Sequence, residues 1–581
     1  MSIPLEAASD GVDIARSLLT AFWGLVVGFG LLEFWINRDA TNTDGISYMD
    51  VASAFARHDW AGGVNAYWSP LYPFLLSVGL KVVRPAAYLQ FTVAHFVNFL
   101  IFAGAAAAFQ FFLSQLMLYR SSRIARSGSD FGAWSALPSW ALVALGYALF
   151  LWTSLELITI AVISPDMTVE LFVYLAAGIV LRMRARGEAS IRNFFFLGLA
   201  LGLGYLAKAP MLPMGIVFLA IALFSVGGIT KSIPRVAVAA LAIALVAGPF
   251  VWKLSQEEGH LTWGDSAKLN YSWYVNHVPR YHWQGTPGKF GTAAHPTTQI
   301  FANPLAYSFD GPQHSTYPVW YDPAYWNQGV HPIWDWKSVL GQIMANAPIY
   351  DGVIFHQQAA LVAICLLLFL IGARGKSLLA DLADYGVLLI PVVAAFAMYV
   401  VVHVEERMIA SYVVLLWLAL FAAVRYRDLP EIHRCASLAV VAVALFTIFT
   451  MAESTSGEMI VHGPRELLSS SSHNVEWQVA DALRRAGVKP GDKIAWMRPD
   501  TFTVKQNYAW ARLAGVKIIA EIPSGEQGQF WSAGPEVRAE TFDAFARTGA
   551  SAFVVTEMPA GFPITGWEPL GKTGYWVHQL R

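Results

Sequence analysis

Two aspartates and two cations stand at the edges of apolar segments, where their side chains could act together. Asp44 follows the first apolar run, in Asn42-Thr43-Asp44-Gly45-Ile46-Ser47-Tyr48, and Asp166 ends Ser164-Pro165-Asp166 just before the fourth run. A carboxylate positioned beside a hydroxyl group can act as a general base, an effect of about 10²–10⁴-fold. Lys208 and Arg407 border later apolar runs. A cation fixed in a low-dielectric pocket can stabilise negative charge that develops during a reaction.

Each of these residues also has a structural interpretation. Asp44 could cap a helix that starts at Gly45, and Ser164-Pro165-Asp166 is typical of a helix start. Lys208 could extend its ammonium group to the membrane surface, because long basic side chains do so at little cost near an interface. Capping and catalysis are compatible for both aspartates.

The stretch His403-Val404-Glu405-Glu406-Arg407 combines a histidine, two acids and an arginine. The arginine fork matches phosphate geometry, although Arg407 could simply pair with Glu405 or Glu406. His403 could hold a divalent metal with these acids, but a histidine beside two acids is more often hydrogen-bonded than metal-bound. We therefore predict no metal ligands and no required cofactor, with a divalent metal at this stretch as the alternative.

The composition indicates a membrane protein. Of 581 residues, 56% are hydrophobic and 14% are charged, whereas a soluble domain carries about 25% charged residues. The net charge of -1 gives no reason to expect a nucleic-acid partner. Cys365 and Cys435 lie in or beside apolar segments, so no disulfide framework is implied.

Apolar runs long enough to cross a bilayer as helices need about 20 residues. The sequence contains eleven candidates, near 17–36, 88–118, 132–155, 167–182, 193–209, 211–229, 235–254, 353–372, 385–403, 408–424 and 435–452. Lysine and arginine gather in alternate loops, near 120–126, 182–192, 231–235, 374–376 and 425–434, and such loops stay cytoplasmic. This pattern predicts a cytoplasmic N-terminus and places the loops with unusual residues on the opposite, extracytoplasmic side.

Two other segments differ from the apolar runs. The loop 255–350 is too long for a plain connector and is rich in Trp, Tyr, His and Pro, which is typical either of a sugar-binding platform or of an interfacial aromatic belt. Beyond about 470, strands and helices alternate, which predicts a small, largely parallel sheet. We expect a transmembrane module over 1–454, including the outer loops 37–87 and 255–350, and a soluble extracytoplasmic α/β domain over 455–581.

Several motifs together resemble one superfamily. Asp44-Gly45-Ile46-Ser47-Tyr48, the turn Pro70-Leu71-Tyr72-Pro73, the acidic site at Asp166, the Gly-rich run that ends at Lys208, and the loop at His403 to Arg407 occur in the order found in the GT-C superfamily of glycosyltransferases. The resemblance covers about residues 17–425. It is strongest to the branch of protein O-mannosyltransferases and the lipid A aminoarabinose transferase. A polytopic helical membrane fold is expected from it.

The resemblance implies a function and a role for each residue. It implies an inverting glycosyltransferase that moves a hexose or pentose from a polyprenyl-phosphate donor to a glycan, lipid or protein acceptor. Asp44 would be the base, Asp166 would orient the acceptor or Asp44, and Lys208 and Arg407 would hold the donor phosphate. The substrate-binding residues would be Tyr48, Tyr72, His403, Glu405 and Glu406.

The expected location is a bacterial plasma (inner) membrane, with the site and the C-terminal domain in the periplasm or outside the cell. Two alternatives remain open. A transporter or flippase of a lipid-linked saccharide would place its charged residues near the middle of the membrane, inside broken helices. A non-catalytic saccharide-binding membrane protein would rely on the aromatic loop and the C-terminal domain. The clustering of acidic motifs in loops on one side favours the enzyme.

Overall fold

The structure is a computed structural model that describes residues 9–127, 134–187, 190–225, 228–311, 315–371, 376–468, 474–499 and 507–580. Small parts of the predicted spans 132–155, 211–229 and 353–372, of the basic loops 182–192 and 374–376, of the long loop 255–350 and of the C-terminal domain lie outside these ranges. Within them the chain is mostly helical, and a sheet forms near its C-terminal end.

The helices before the long loop and their connections contain about half of the buried apolar side chains. They are α1 (Ser9–Ile36), α2 (Thr43–Ala56), α3 (Trp60–Gly63), α4 (Leu71–Val83), α5 (Gln90–Ser127), α6 (Ser139–Trp152), α7 (Asp166–Arg186), α8 (Ile191–Ala207), α9 (Met211–Ser225) and α10 (Ile229–Glu258). Helix α6 continues as a π-helical stretch over Thr153–Ile158.

The later helices fall into two groups. Those up to the end of the last apolar run are α11 (Ser266–Tyr274), α12 (Pro318–Tyr321), α13 (Pro323–Trp326), α14 (Trp336–Asp351), α15 (Ala359–Ile371), α16 (Lys376–Asp384), α17 (Gly386–Val400), α18 (Glu406–Ala423) and α19 (Pro430–Leu468). Those of the C-terminal part are α20 (Val475–Arg485), α21 (Ala509–Ala514), α22 (Gln527–Ser532) and α23 (Pro535–Arg547).

In the described ranges, six helices are long and apolar enough to cross a membrane, so the chain is built as a multi-pass membrane protein. They coincide largely with α1, α5, α6 and its π-helical continuation, α10, α18 and α19, and α14 with α15 forms a further candidate bent by 67°. Each of the eleven predicted spans falls mainly on a helix. Their number stays a prediction, because α9 and α17 have 15 residues each and reach only about 22 Å, against a hydrocarbon core of about 30 Å.

The packing separates helices that face lipid from helices inside the bundle. Only 17% of the apolar stretch of α10 is buried inside the protein, and this stretch exposes Leu241, Leu245 and Trp252. In α6, by contrast, 89% of the apolar stretch is buried. Apolar side chains exposed over so long a helix match a lipid environment. The Gly-rich run in α8 lies against α10, where a Cβ atom at Gly198 would come within 2.2 Å of the Ala239 carbonyl oxygen. The glycine therefore allows the two backbones to touch.

The strands form two sheets. The smaller pairs β1 (Trp134–Ala136) with β4 (Arg425–Arg427), so the predicted span 132–155 began too early. The larger has the order β2-β3-β6-β5-β7-β9-β8, made of β2 (Thr298–Ala302), β3 (Leu305–Ser308), β5 (Lys493–Met497), β6 (Lys517–Ile522), β7 (Ala552–Thr556), β8 (Trp567–Pro569) and β9 (Tyr575–Gln579).

The larger sheet is mixed rather than largely parallel. Only β5 pairs in parallel, with β6 and with β7, and the other four strand pairings are antiparallel. The three strands predicted from the sequence, β5, β6 and β7, do pair in parallel. The expectation of a largely parallel sheet was wrong for the sheet as a whole, because the hairpin β2–β3 of the long loop and the C-terminal strands β8 and β9 add antiparallel pairings. The long loop and the C-terminal part thus share one sheet, and α19 runs without a break through residues 454 and 455.

The C-terminal part rests on α2, the helix that carries Asp44. The Asn507 side-chain amide donates to the Thr41 hydroxyl at 2.8 Å, and the Tyr508 hydroxyl donates to the Thr43 carbonyl at 3.1 Å. About two turns further along α2, Arg512 forms a buried ion pair with Asp50. These contacts fix the start of α2 in place.

Candidate active site

A cavity of about 350 Å³ brings together the residues singled out in the sequence. It lies where the N-terminal ends of α2, α7 and α18 approach the C-terminal end of α8. Its lining includes Asp44, Tyr48, Asp166, Lys208, His403, Glu405 and Arg407. Three helix N-termini with their unpaired N–H groups favour negative charge at this place.

Asp166 is buried and paired with both predicted cations. Its side chain is 3% exposed, Lys208 Nζ lies 2.6 Å from Oδ1, and Arg407 Nη1 lies 3.4 Å from Oδ2. The residue opens α7 after Pro165 and makes no capping hydrogen bond with its side chain. Asp166 therefore serves to hold Lys208 and Arg407 in place at the base of the cavity.

Asp44 is the more accessible carboxylate. Its side chain is 30% exposed, its Oδ1 accepts a 3.0 Å hydrogen bond from Trp320 Nε1, and its Oδ2 lies 3.9 Å from Arg407 Nη2. The N-cap of α2 is Asn42, so Asp44 does not cap the helix. Gly45 follows it because a Cβ atom there would come within 2.8 Å of the Ile163 Cβ atom.

The loop before α18 is held by its own charges. Arg407 Nε donates to Glu405 Oε2 at 2.7 Å, and His403 Nε2 lies 3.0 Å from Glu405 Oε1. Burial by itself would raise the pKa of Glu405, but the hydrogen bond from His403 and the charge of Arg407 outweigh it and hold the pKa well below its usual value. The His403 ring stacks on Tyr274 at 3.9 Å between centroids. Glu405 is therefore a carboxylate that orients Arg407.

Two of the predicted substrate-binding residues lie outside the cavity lining. The Tyr72 hydroxyl is buried and donates to Asn98 Oδ1 at 2.7 Å, and Glu406 accepts a 3.0 Å hydrogen bond from Gln357 instead of facing the cavity. Tyr48 does line the cavity, and it packs edge-on against Trp68 and Tyr72. Tyr48 therefore borders the cavity, whereas Tyr72 and Glu406 lie outside its lining.

The described residues contain no group of three or more His, Cys, Asp or Glu side chains arranged to hold a metal ion. Glu406 points away from His403, so the alternative of a divalent metal held by His403, Glu405 and Glu406 does not fit the geometry. The acids that remain in the cavity are instead engaged by Lys208, Arg407, His403 and Trp320.

Arg280 is a third cation of the cavity, which the sequence analysis missed. Its guanidinium carbon lies 5.3 Å from the Trp273 ring centroid, 5.1 Å from that of Tyr274 and 5.5 Å from that of Trp320. Among the described carboxylates, none lies within 4.0 Å of it. Arg280 lines the cavity with its guanidinium among aromatic faces. Only its place among the aromatics of the long loop could have pointed to it.

The cavity has two chemically different flanks. One is apolar and comes from the predicted spans: Pro210, Pro213, Met398, Tyr399, Val402 and Met408. The other comes from the outer loops and carries polar groups: Ser69, Ser266, Asn270 and Arg280. Such a site can accommodate a molecule with an apolar chain and a polar, anionic head.

No family model matches this chain, and no curated protein sequence matches it. Among solved structures, the chain is similar to ArnT from Cupriavidus metallidurans bound to undecaprenyl phosphate, with a TM-score of 0.47 and 11% identity over 97% of this chain and 98% of that one. The apo state of the same ArnT gives a TM-score of 0.45 and 11% identity over the same shares.

The chain is also similar to the archaeal oligosaccharyltransferase AglB from Archaeoglobus fulgidus, in complex with an inhibitory peptide and a dolichol-phosphate. That match has a TM-score of 0.43 and 10% identity over 92% of this chain and 69% of that one.

Proposed function

We propose that this protein is an inverting glycosyltransferase that moves a sugar from a polyprenyl-phosphate donor to a hydroxyl group of an extracytoplasmic acceptor. The observation that carries the proposal is one cavity in which a partly exposed carboxylate, Asp44, faces fixed cations between an apolar and a polar flank. The lipid chain of the donor lies along the apolar flank, and the sugar and acceptor lie on the loop side.

The proposed reaction is a single displacement at the anomeric carbon. Asp44 takes the proton from the acceptor hydroxyl as its oxygen forms a bond to that carbon. The bond from the carbon to the phosphate oxygen breaks, and polyprenyl phosphate leaves with the electron pair. Because attack and departure occur on opposite faces of the sugar, the anomeric centre inverts. Phosphate is a good leaving group, so the step requires no strong acid.

The cations divide the work of holding the donor phosphate. Lys208 and Arg407 form ion pairs with Asp166 and Glu405. These carboxylates neutralise much of the positive charge that the two cations could offer to a ligand. Arg280 has no such partner among the described residues, so it makes the main contact with the phosphate. Asp166 is a positioning residue here, and Tyr48, His403 and Tyr274 form the wall against the sugar.

The same proposal includes a location and a division of the chain. The protein resides in a bacterial plasma membrane with a cytoplasmic N-terminus, and the cavity faces the periplasm. The transmembrane module, 1–454, carries the chemistry with its two outer loops. The soluble part, 455–581, covers the site from outside, which its contacts with α2 support. Candidate acceptors are glycans, lipids and proteins.

The test compares Asp44→Asn with the wild type by mass spectrometry of lipid-linked sugars and envelope glycans in the source cells. The variant should be produced in normal amounts, accumulate a polyprenyl-phosphate sugar and lack one glycan. Asp481→Asn is the matched control, because that aspartate is 57% exposed and paired only with Arg485 on its own helix. Wild-type glycans in cells that contain only Asp44→Asn would refute the proposal, and a block in lipid movement with normal transfer would indicate a transporter.

A further inference from the structure

A second site lies at the opposite end of α7 from the cavity. Asp166 begins this helix inside the cavity, and Arg182 follows sixteen residues later (182 − 166), a distance of about 24 Å along the helix axis. There, a groove of about 300 Å³ opens between α5, α7 and α8. The two sites are therefore separated by most of the thickness of a bilayer.

The groove is polar at one end and apolar over the rest of its length. Arg182, Arg192 and Asn193 form the polar end. The walls are formed by Phe111, Phe172, Leu175, Phe196, Leu199 and Leu203. From Arg192 to Leu203 there are eleven residues (203 − 192), or about 16 Å of helix, close to the roughly 15 Å of hydrocarbon in one leaflet.

The described side chains at the polar end of the groove carry positive charge. None of the described residues that line the groove is Asp or Glu. The Nε of Arg182 is buried without a hydrogen-bond partner among the described groups, and Arg186 and Arg192 lie near enough to repel its charge. The guanidinium carbon of Arg192 lies 5.7 Å from the Phe196 ring centroid, which directs it along the groove. An anion placed between these arginines would relieve their repulsion.

We infer that this groove binds an anionic phospholipid of the leaflet opposite the candidate active site. The lipid phosphate lies between Arg182 and Arg192, and one acyl chain follows the aromatic and aliphatic wall toward Phe172 and Leu203. Basic pockets between membrane helices are suited to such headgroups. The inference does not depend on the proposed sugar transfer, because it concerns a separate pocket and its readout is lipid binding.

The experiment titrates the purified full-length protein in detergent with phosphatidylglycerol and counts bound lipids by native mass spectrometry. Arg182→Gln with Arg192→Gln should weaken binding about 30-fold, equivalent to about 1 kcal/mol for each arginine removed. The matched control is Lys231→Gln with Arg235→Gln, which removes two cations from another predicted cytoplasmic loop. This control should bind the lipid as the wild type does.

A second variant, Leu199→Trp, fills the apolar wall and keeps both arginines, so it separates lipid binding from a general loss of charge. It should also reduce phosphatidylglycerol binding. Equal binding of phosphatidylcholine by the wild type, unchanged binding in the double variant, or an equal loss in the Lys231 and Arg235 control would each overturn the inference. Displacement of the lipid by millimolar inorganic phosphate, with no effect of Leu199→Trp, would reduce the groove to a simple anion site and overturn the lipid assignment.

Discussion

The indole Nε1 of Trp320 donates a 3.0 Å hydrogen bond to Oδ1 of Asp44, across a sequence separation of 276 residues. The backbone of Trp320 is also held by the segment that contains Asp44 and α2, because its carbonyl accepts hydrogen bonds from Ser47 Oγ at 3.0 Å and from Trp68 Nε1 at 3.2 Å. The long loop therefore sets the direction of the carboxylate that we propose as the base.

Trp320→Phe should lower the turnover of sugar transfer about 10- to 100-fold, because a hydrogen bond to a charged group is worth about 1.5–3 kcal/mol. The carbonyl contacts of residue 320 are retained in this variant, so the loop stays in place. Steady-state kinetics with a lipid-linked donor should show lower kcat with little change in donor KM. Trp336→Phe is the control, since that side chain is 72% exposed. A change in KM alone would show that Trp320 only shapes the donor pocket.

Arg280→Gln should weaken binding of polyprenyl phosphate about 10- to 100-fold, because the phosphate loses the charge-assisted hydrogen bonds of a cation that pairs with none of the described carboxylates. Titration of the purified protein with short-chain polyprenyl phosphate measures the effect. Arg485→Gln, an exposed arginine of the C-terminal part, is the control. If Arg280→Gln binds like the wild type while Lys208→Ala does not, the phosphate contact belongs to Lys208 instead.

Asp166→Asn should destabilise the protein by about 3–5 kcal/mol, because Lys208 and Arg407 then lose the charge that they share. Adding Lys208→Met should restore part of this stability without restoring transfer. Thermal unfolding in detergent, measured beside a transfer assay, follows the two effects separately. Full activity of Asp166→Asn at normal stability would contradict the positioning role.

Glu476 should make the stability of the C-terminal part depend on pH. Burial raises the pKa of this carboxyl to about 8, although the hydrogen bond from the Trp510 amide opposes the shift. The folded protein therefore holds a proton that the unfolded chain releases near the ordinary glutamate pKa of 4.5, and the free energy of unfolding falls as pH rises from about 4.5 to about 8. The slope is at most about 1.4 kcal/mol per pH unit.

Glu476→Gln should remove this slope and raise the unfolding temperature at pH 8, because the amide stays neutral. The unfolding temperature of the full-length protein is measured from pH 5 to pH 9. Glu540→Gln is the control, because Glu540 is exposed. Parallel pH profiles for the wild type and Glu476→Gln would exclude Glu476 as the source.

Local sequence information was sufficient for part of this structure. Apolar runs located the helices, and the residues of the site came from short motifs next to helix ends, so Asp44, Asp166, Lys208 and Arg407 could be named in advance. The structure brings these four into one cavity. Arg280 and Trp320 could not be named, because they lie in a loop without periodicity and reach the site through tertiary contacts. The pairing of β3 with β6 could not be predicted either, because it joins segments far apart in the sequence. Tyr72 and Glu406 are residue types that can bind a sugar, but in the structure their side chains bond to Asn98 and Gln357.

The sheet shared by the aromatic loop and the C-terminal part has a consequence for biogenesis. The Tyr317 hydroxyl, just after the hairpin, donates to Glu521 of β6, 204 residues further along the chain. Contacts this distant cannot form until the later segment has been synthesised and has reached the same side of the bilayer. Until then the hairpin presents an open edge, although Trp320 can already contact Ser47 and Trp68. A ribosome stalled before β6 would leave the candidate active site inserted but incompletely assembled, and exposed to quality-control proteases.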